Sequence, residues 1–250
     1  WLQMHMDPSE DVQIRSLTND QTILVIAGPK ARDVLSAVSR LDWSKAAFPW
    51  LSARECFIGF APATVLGVSF SGELAYEIHI PNAHLYNAYK TLRKVGKAFG
   101  MKMFGAKAVD SMRMEKGFLH WKADILTEFD PFETGLDRFV KMEKGDFIGK
   151  AALEKRVAAG KTVEFVSMEL DSTDAAAHGG SSAMVGDTVV GTVSSGDWGY
   201  RVRKNLAYAF VKPDHASVGT TFEVDVLGKR VPATIIPTGP YNPDYSLMRS

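Results

Sequence analysis

Ser69-Phe70-Ser71-Gly72-Glu73-Leu74-Ala75-Tyr76-Glu77-Ile78-His79 reads as a strand that enters a glycine turn and leaves as a second strand. Side chains alternate across a strand, so Glu77 is predicted on one face and Tyr76 and Ile78 on the other. A carboxylate is costly to bury without a partner. Glu77 is therefore expected either in water on an edge strand or against groups that donate hydrogen bonds to it.

Upstream, residues 63–70 and 54–60 read as strands separated by Ala61-Pro62. The Ile- and Val-rich run Gln21 to Ala27 reads as a buried strand closed by Gly28-Pro29. Lys30 to Leu41 carries Ala31, Val34, Leu35 and Val38 at helical spacing, which predicts an amphipathic helix. Downstream, His84 to Phe99 predicts a second helix with Leu85, Ala88, Tyr89 and Leu92 inward, stopped by Gly100. Gly105 to Gly117 predicts a third, and Lys150 to Ala158 a connector ending at Gly160. Beyond residue 162, short β-rich runs at 163–170, 183–193, 206–211 and 221–236 alternate with Gly, Asp and Pro turns, the pattern of a small antiparallel barrel or sandwich.

The 250 residues are 46% apolar and 23% charged, enough to bury a core without staples. Lys plus Arg number 29 and so do Asp plus Glu, which gives no global attraction to nucleic acid or an anionic membrane; neither is expected as a partner. Cys56 is the only cysteine, and the six histidines never fall at metal-pair spacing, so no metal site is predicted. The start lacks the basic and apolar segments of a signal peptide, and a cytoplasmic location is expected, or the mitochondrial matrix in a eukaryote. The chain begins at Trp1, which predicts a processed or truncated start.

Four clusters carry candidate chemistry. The first holds Phe70, Tyr76 and Glu77. The second, Asp110-Ser111-Met112-Arg113-Met114-Glu115-Lys116-Gly117, presents Arg113 near a helix end. Its guanidinium either pairs with Asp110 or Glu115 or reads a carboxylate or heteroaromatic edge. The third, Asp130 to Leu136 followed by Asp146 to Lys150, reads as a turn and a helix start with no chemistry of its own. The fourth, Gly191 to Tyr200 with Ser195 and Gly196, reads either as a ligand-approaching glycine loop or as a tight hairpin.

In order and spacing these segments resemble the folate-binding aminomethyltransferase family: the glycine-cleavage T protein and the C-terminal halves of dimethylglycine and sarcosine dehydrogenases. The segments that carry it are Phe48-Pro49 with Ala53-Arg54-Glu55, then Gly72 to Glu77, Arg113 to Gly117, Pro131 to Leu136 and Asp146 to Lys150. The resemblance runs from about Thr22 to the end of the chain. It implies an α+β fold, with a folate-binding α/β domain at residues 1–158 whose N-terminal part is missing, then a small antiparallel β-barrel at 159–250. It also implies tetrahydrofolate as cofactor, with Glu77 and Arg113 contacting it and Phe70, Tyr76, Ser195 and Gly196 nearby.

The implied activity is capture of a one-carbon unit from an N-methyl amine as 5,10-methylenetetrahydrofolate, with FAD in a separate upstream domain or flavin oxidoreductase subunit. No GxGxxG follows a strand here. The alternatives are a flavin-independent aminomethyl- or methyltransferase, and a non-catalytic folate-binding module. Two features depart from the family: the aspartate credited with assisting the folate amine has no counterpart, and Phe70 stands where the dehydrogenases have Tyr. No catalytic residue is therefore assigned.

Overall fold

The computed structural model describes residues 1–250, and the chain divides into two compact units. The first comprises residues 1–69, 73–103 and 246–250; the second comprises 70–72 and 104–245.

The first unit is built on an antiparallel sheet of strands β1 (Gln21–Ala27), β2 (Ala53–Ile58), β3 (Ala61–Leu66) and β4 (Ala75–Pro81), in the order β1-β4-β3-β2. Helices α1 (Ala31–Ser36) and α2 (Asn82–Gly96) belong to the same unit. Ile26, Val65, Tyr76, Ile78 and Ile80 of the sheet form one core with Val34 and Leu35 of α1 and Ala88 and Leu92 of α2. The period-two alternation leaves Ile23, Val25 and Phe57 exposed on the opposite face.

Three expectations change here. The β2–β3 turn falls at Gly59-Phe60, because Gly59 adopts φ 61° and Pro62 lies inside β3. Helix α1 ends at Ser36, and the Val38 carbonyl instead accepts a hydrogen bond from the Gly59 N–H. Tyr89 is exposed at the rim of α2, about 100° from its buried neighbour Ala88.

The second unit contains α3 (Ala106–Lys116), α4 (Lys150–Ala159) and a closed antiparallel barrel. Its strands are β5 (Glu164–Leu170), β6 (Ser182–Val185), β7 (Thr188–Gly199), β8 (Lys204–Val211), β9 (Thr221–Val226) and β10 (Lys229–Ile236), closed in the order β10-β5-β8-β7-β6-β9. Strand β8 is buried on both faces from Asn205 to Val211. Ala207, Ala209 and Val211 fill the barrel, while Leu206 and Tyr208 pack outward with Met114 of α3. The Tyr208 hydroxyl donates to the Met114 carbonyl at 2.7 Å, and burial pushes its phenol pKa far up.

The Gly191 to Tyr200 segment is strand through Gly199 rather than a ligand loop or a tight hairpin, with a register shift between Val193 and Ser195. Its glycines answer close backbone packing. A Cβ on Gly191 would lie 2.6 Å from the Phe210 carbonyl oxygen, and one on Gly196 would lie 2.2 Å from that of Ala177.

Candidate functional site

Strand β4 puts Glu77 on the open face of the first unit's sheet, across from Val25 and Leu66. Its side chain is 35% exposed, and one oxygen, Oε2, lies 3.3 Å from His79 Nε2. The other oxygen, Oε1, has no protein partner. Of the two environments expected for Glu77, the structure therefore gives an intermediate one: half-buried, with one oxygen engaged and one open. An open depression of about 410 Å³ is lined by His79, Thr64, Glu55 and Phe57 among others, and Glu77 reaches it only through its contact with His79.

Tyr76 points the other way. It is 1% exposed and meets Trp43 and Phe48 edge-on, with centroids 5.4 and 5.3 Å away. Burial raises its phenol pKa, while the Arg32 charge pulls it down. Tyr76 thus lies beneath the surface that Glu77 faces.

In the second unit, Arg113 is almost wholly buried near the end of α3, where Gly117 at φ 80° terminates the helix. Its Nε donates to Asp110 Oδ1 at 3.1 Å, so the predicted Asp110 pair forms. Its Nη1 donates to the Phe118 carbonyl at 3.1 Å and to Asp124 Oδ2 at 2.6 Å, and its Nη2 donates to Ser195 Oγ at 2.9 Å. Glu115 pairs instead with Arg201.

Asp124 was missed by sequence reasoning, and it organises this cluster. It is fully buried and accepts from Arg113, from the His120 N–H at 2.8 Å, and from the hydroxyls of Ser194 at 2.6 Å and Ser195 at 2.7 Å. Four charge-assisted bonds hold an ion that would otherwise be costly in that position. A polar depression of about 260 Å³ opens beside it, bordered by Lys107, Asp110, His120, His178 and Asp197. Phe70 is 38% exposed and stacks on Phe118, centroids 6.0 Å apart. The structure thus joins Arg113 with Ser195 in one network in the second unit, while Glu77 and Tyr76 lie in the first.

The third cluster also holds an unforeseen buried carboxylate. Glu133 accepts from Thr162 Oγ1 at 2.7 Å and from the backbone N–H groups of Thr162 and Asp130 at 2.9 and 3.2 Å. Burial pushes its pKa up, but these bonds together with that from the Val163 N–H outweigh it and leave the group below its ordinary value.

Two family domains match the chain in order: the GCVT N-terminal domain over residues 1–144 and the glycine cleavage T-protein C-terminal barrel domain over 163–242. The chain belongs to the glycine-cleavage T-protein family. This T-protein-family chain is 35% identical to mitochondrial dimethylglycine dehydrogenase of Rattus norvegicus over 227 residues, which is 90% of the chain but 26% of that enzyme. It is 28% identical over 235 residues to an aminomethyltransferase of Thermoanaerobacter pseudethanolicus, covering 94% of the chain and 63% of the relative. Its fold matches the solved aminomethyltransferase T of the Bartonella henselae glycine cleavage system with a TM-score of 0.77 at 20% identity, over 88% of this chain and 60% of that one. The chain therefore spans about a quarter of the dehydrogenase and less than two thirds of the transferases. No helix is long and apolar enough to cross a membrane.

Proposed function

We propose that this chain is the tetrahydrofolate-binding part of a one-carbon-transferring enzyme. In this reading the carbon comes from demethylation of a dimethylglycine- or sarcosine-type N-methyl amine and is taken up as 5,10-methylenetetrahydrofolate. The similarity to dimethylglycine dehydrogenase supports that choice of donor. Because the chain covers 26% of that relative, a flavin oxidoreductase domain or subunit is proposed as a separate partner.

The observation that carries the reading is the Glu77 carboxylate, fixed through Oε2 by His79 while Oε1 has no protein partner. A pterin edge offers N–H donors that suit such an oxygen. When bound, tetrahydrofolate supplies the nucleophilic nitrogens that take up the carbon. Glu77 binds and orients through that carboxylate. Tyr76, packed against Trp43 and Phe48, stiffens the strand beneath it. Arg113 already donates to four oxygens and acts by holding Asp124 and Ser195 in place. Gly196 permits the close approach of β7 to Ala177. Phe70, stacked on Phe118, offers an apolar ring and no hydroxyl.

Titration calorimetry with 5-formyltetrahydrofolate tests the reading. Glu77→Ala is expected to weaken binding by more than about 1.5 kcal/mol through loss of a charge-assisted hydrogen bond. Equal affinities for parent and variant would remove Glu77 from the site, and a parent chain that binds no folate would overturn the reading. A flavin-independent aminomethyltransferase is the second reading, favoured by a match covering 94% of the chain and 63% of such an enzyme. Folate-dependent transfer from an aminomethyl donor without added flavoprotein would select it.

A further inference from the structure

The depression of about 410 Å³ on the open face of the first unit's sheet is assembled from three strands in register. Glu55 of β2, Thr64 of β3 and His79 of β4 stand in one row across the sheet, and Phe57 stands opposite Pro62 in the next. Neighbouring strands are about 4.8 Å apart, so these side chains converge on one small area. Pro81 completes the wall.

The charge on this face favours one sign of ligand. Glu55, Glu77 and His79 are the titratable groups that the four strands turn to it, and no lysine or arginine is among them. Arg54, the one cation of β2, points to the other face, where it donates to the Ala47 carbonyl and lies 5.7 Å from the Phe48 ring centroid. His79 Nε2 is engaged by Glu77. The Glu55 carboxylate is left with no hydrogen bond or ion pair in the chain. Two positions along the same strand face, the Phe57 ring is 60% exposed, and the π-face of such a ring is negative as well. A free carboxylate beside an accessible ring attracts a cation from two sides.

The walls narrow the class of cation. One carboxylate is too few ligands for a divalent metal ion, and no group of three His, Cys, Asp or Glu side chains in the chain could hold one. N-methyl groups, by contrast, suit the apolar surfaces of Phe57, Pro62 and Pro81. We propose that this depression binds a small N-methylated ammonium ion, with Glu55 as its counter-ion, Phe57 facing its methyl groups and Thr64 accepting any N–H that it carries. In the folate reading, on which only this role rests, the ion is the amine that carries the one-carbon unit, seated beside Glu77 with His79 between them.

Heteronuclear NMR of the whole chain with dimethylammonium and tetramethylammonium tests the proposal, with potassium and tert-butanol at matched concentration as controls. Saturable shifts are expected at the amides of Glu55, Phe57 and Thr64, with dissociation constants in the millimolar range, for the two organic cations and for neither control. Glu55→Gln and Phe57→Leu alter exposed side chains, and each should weaken binding by about fivefold. Shifts that do not saturate, an equal response to potassium or tert-butanol, or variants that bind as the parent does would each overturn the proposal. A second titration with 5-formyltetrahydrofolate separates it from the folate reading. Ammonium binding without folate binding leaves the site and removes the folate reading, and folate binding without ammonium binding does the reverse. Mutual exclusion of the two ligands removes the donor role.

Discussion

Asp124→Ala is predicted to cost the second unit a large part of its stability. It removes the carboxylate that accepts from Arg113, His120, Ser194 and Ser195 and leaves a nearly buried guanidinium beside two serine hydroxyls without their acceptor. Breaking a buried ion pair from one side costs about 3–5 kcal/mol, most of it the penalty of the stranded charge. Asp110 remains bound to Arg113 Nε, but its side chain is 38% exposed, so it offsets only part of the loss. The expected value is therefore about 3 kcal/mol, measured as the shift in urea midpoint at unchanged slope. Arg113→Met combined with Asp124→Ala should lose less than the sum of the two single changes, because the stranded charge is gone. A single-variant loss below about 1 kcal/mol, or strict additivity in the double variant, would show that Asp124 does not organise this cluster.

Other outcomes follow from the same geometry. Glu133 has a folded pKa below its ordinary 4.5, so its contribution to stability is complete above that value and is lost as pH falls through the folded one. Glu133→Gln should flatten this acid limb of the stability profile and cost about 1–3 kcal/mol near neutrality, read by urea melts across pH. Gly196→Ala drives a Cβ to within 2.2 Å of the Ala177 carbonyl oxygen and should destabilise the barrel by about 1–3 kcal/mol, read in urea melts. Tyr208→Phe deletes the bond to the Met114 carbonyl and should cost about 1 kcal/mol in the same assay.

The features legible in the sequence were those written locally. The β-rich runs beyond residue 162 resolve into the strands of the barrel, and the face assignment of Glu77 against Tyr76 and Ile78 follows from a period of two. Arg113's pairing with Asp110 is likewise a matter of helical spacing. Asp124 was invisible because its hydroxyl partners, Ser194 and Ser195, are 70 and 71 positions away, and nothing in Lys122-Ala123-Asp124-Ile125 distinguishes a buried carboxylate from a solvated one. Glu115, the other partner offered for Arg113, pairs with Arg201, which reaches it from 86 positions away and so leaves no local signal. The glycines of β7 looked like a turn because the contacts that demand them, Phe210 and Ala177, lie on other segments.

The two sheets differ in how they end, and that difference sets where self-association would begin. The six-stranded barrel closes on itself and offers no free edge, whereas the four-stranded sheet ends in β1 and β2. Edge strands with exposed apolar side chains are templates for intermolecular pairing, and Ile23, Val25 and Phe57 are exposed on these two. Strand β2 carries the exposed charges Arg54 and Glu55, which blunt its edge; the β1 run Gln21 to Ala27 carries no charge at all. Aggregation on storage or mild heating is therefore expected to start at β1, and a lysine in place of Val25 should delay turbidity without disturbing the core packed on the sheet's other face.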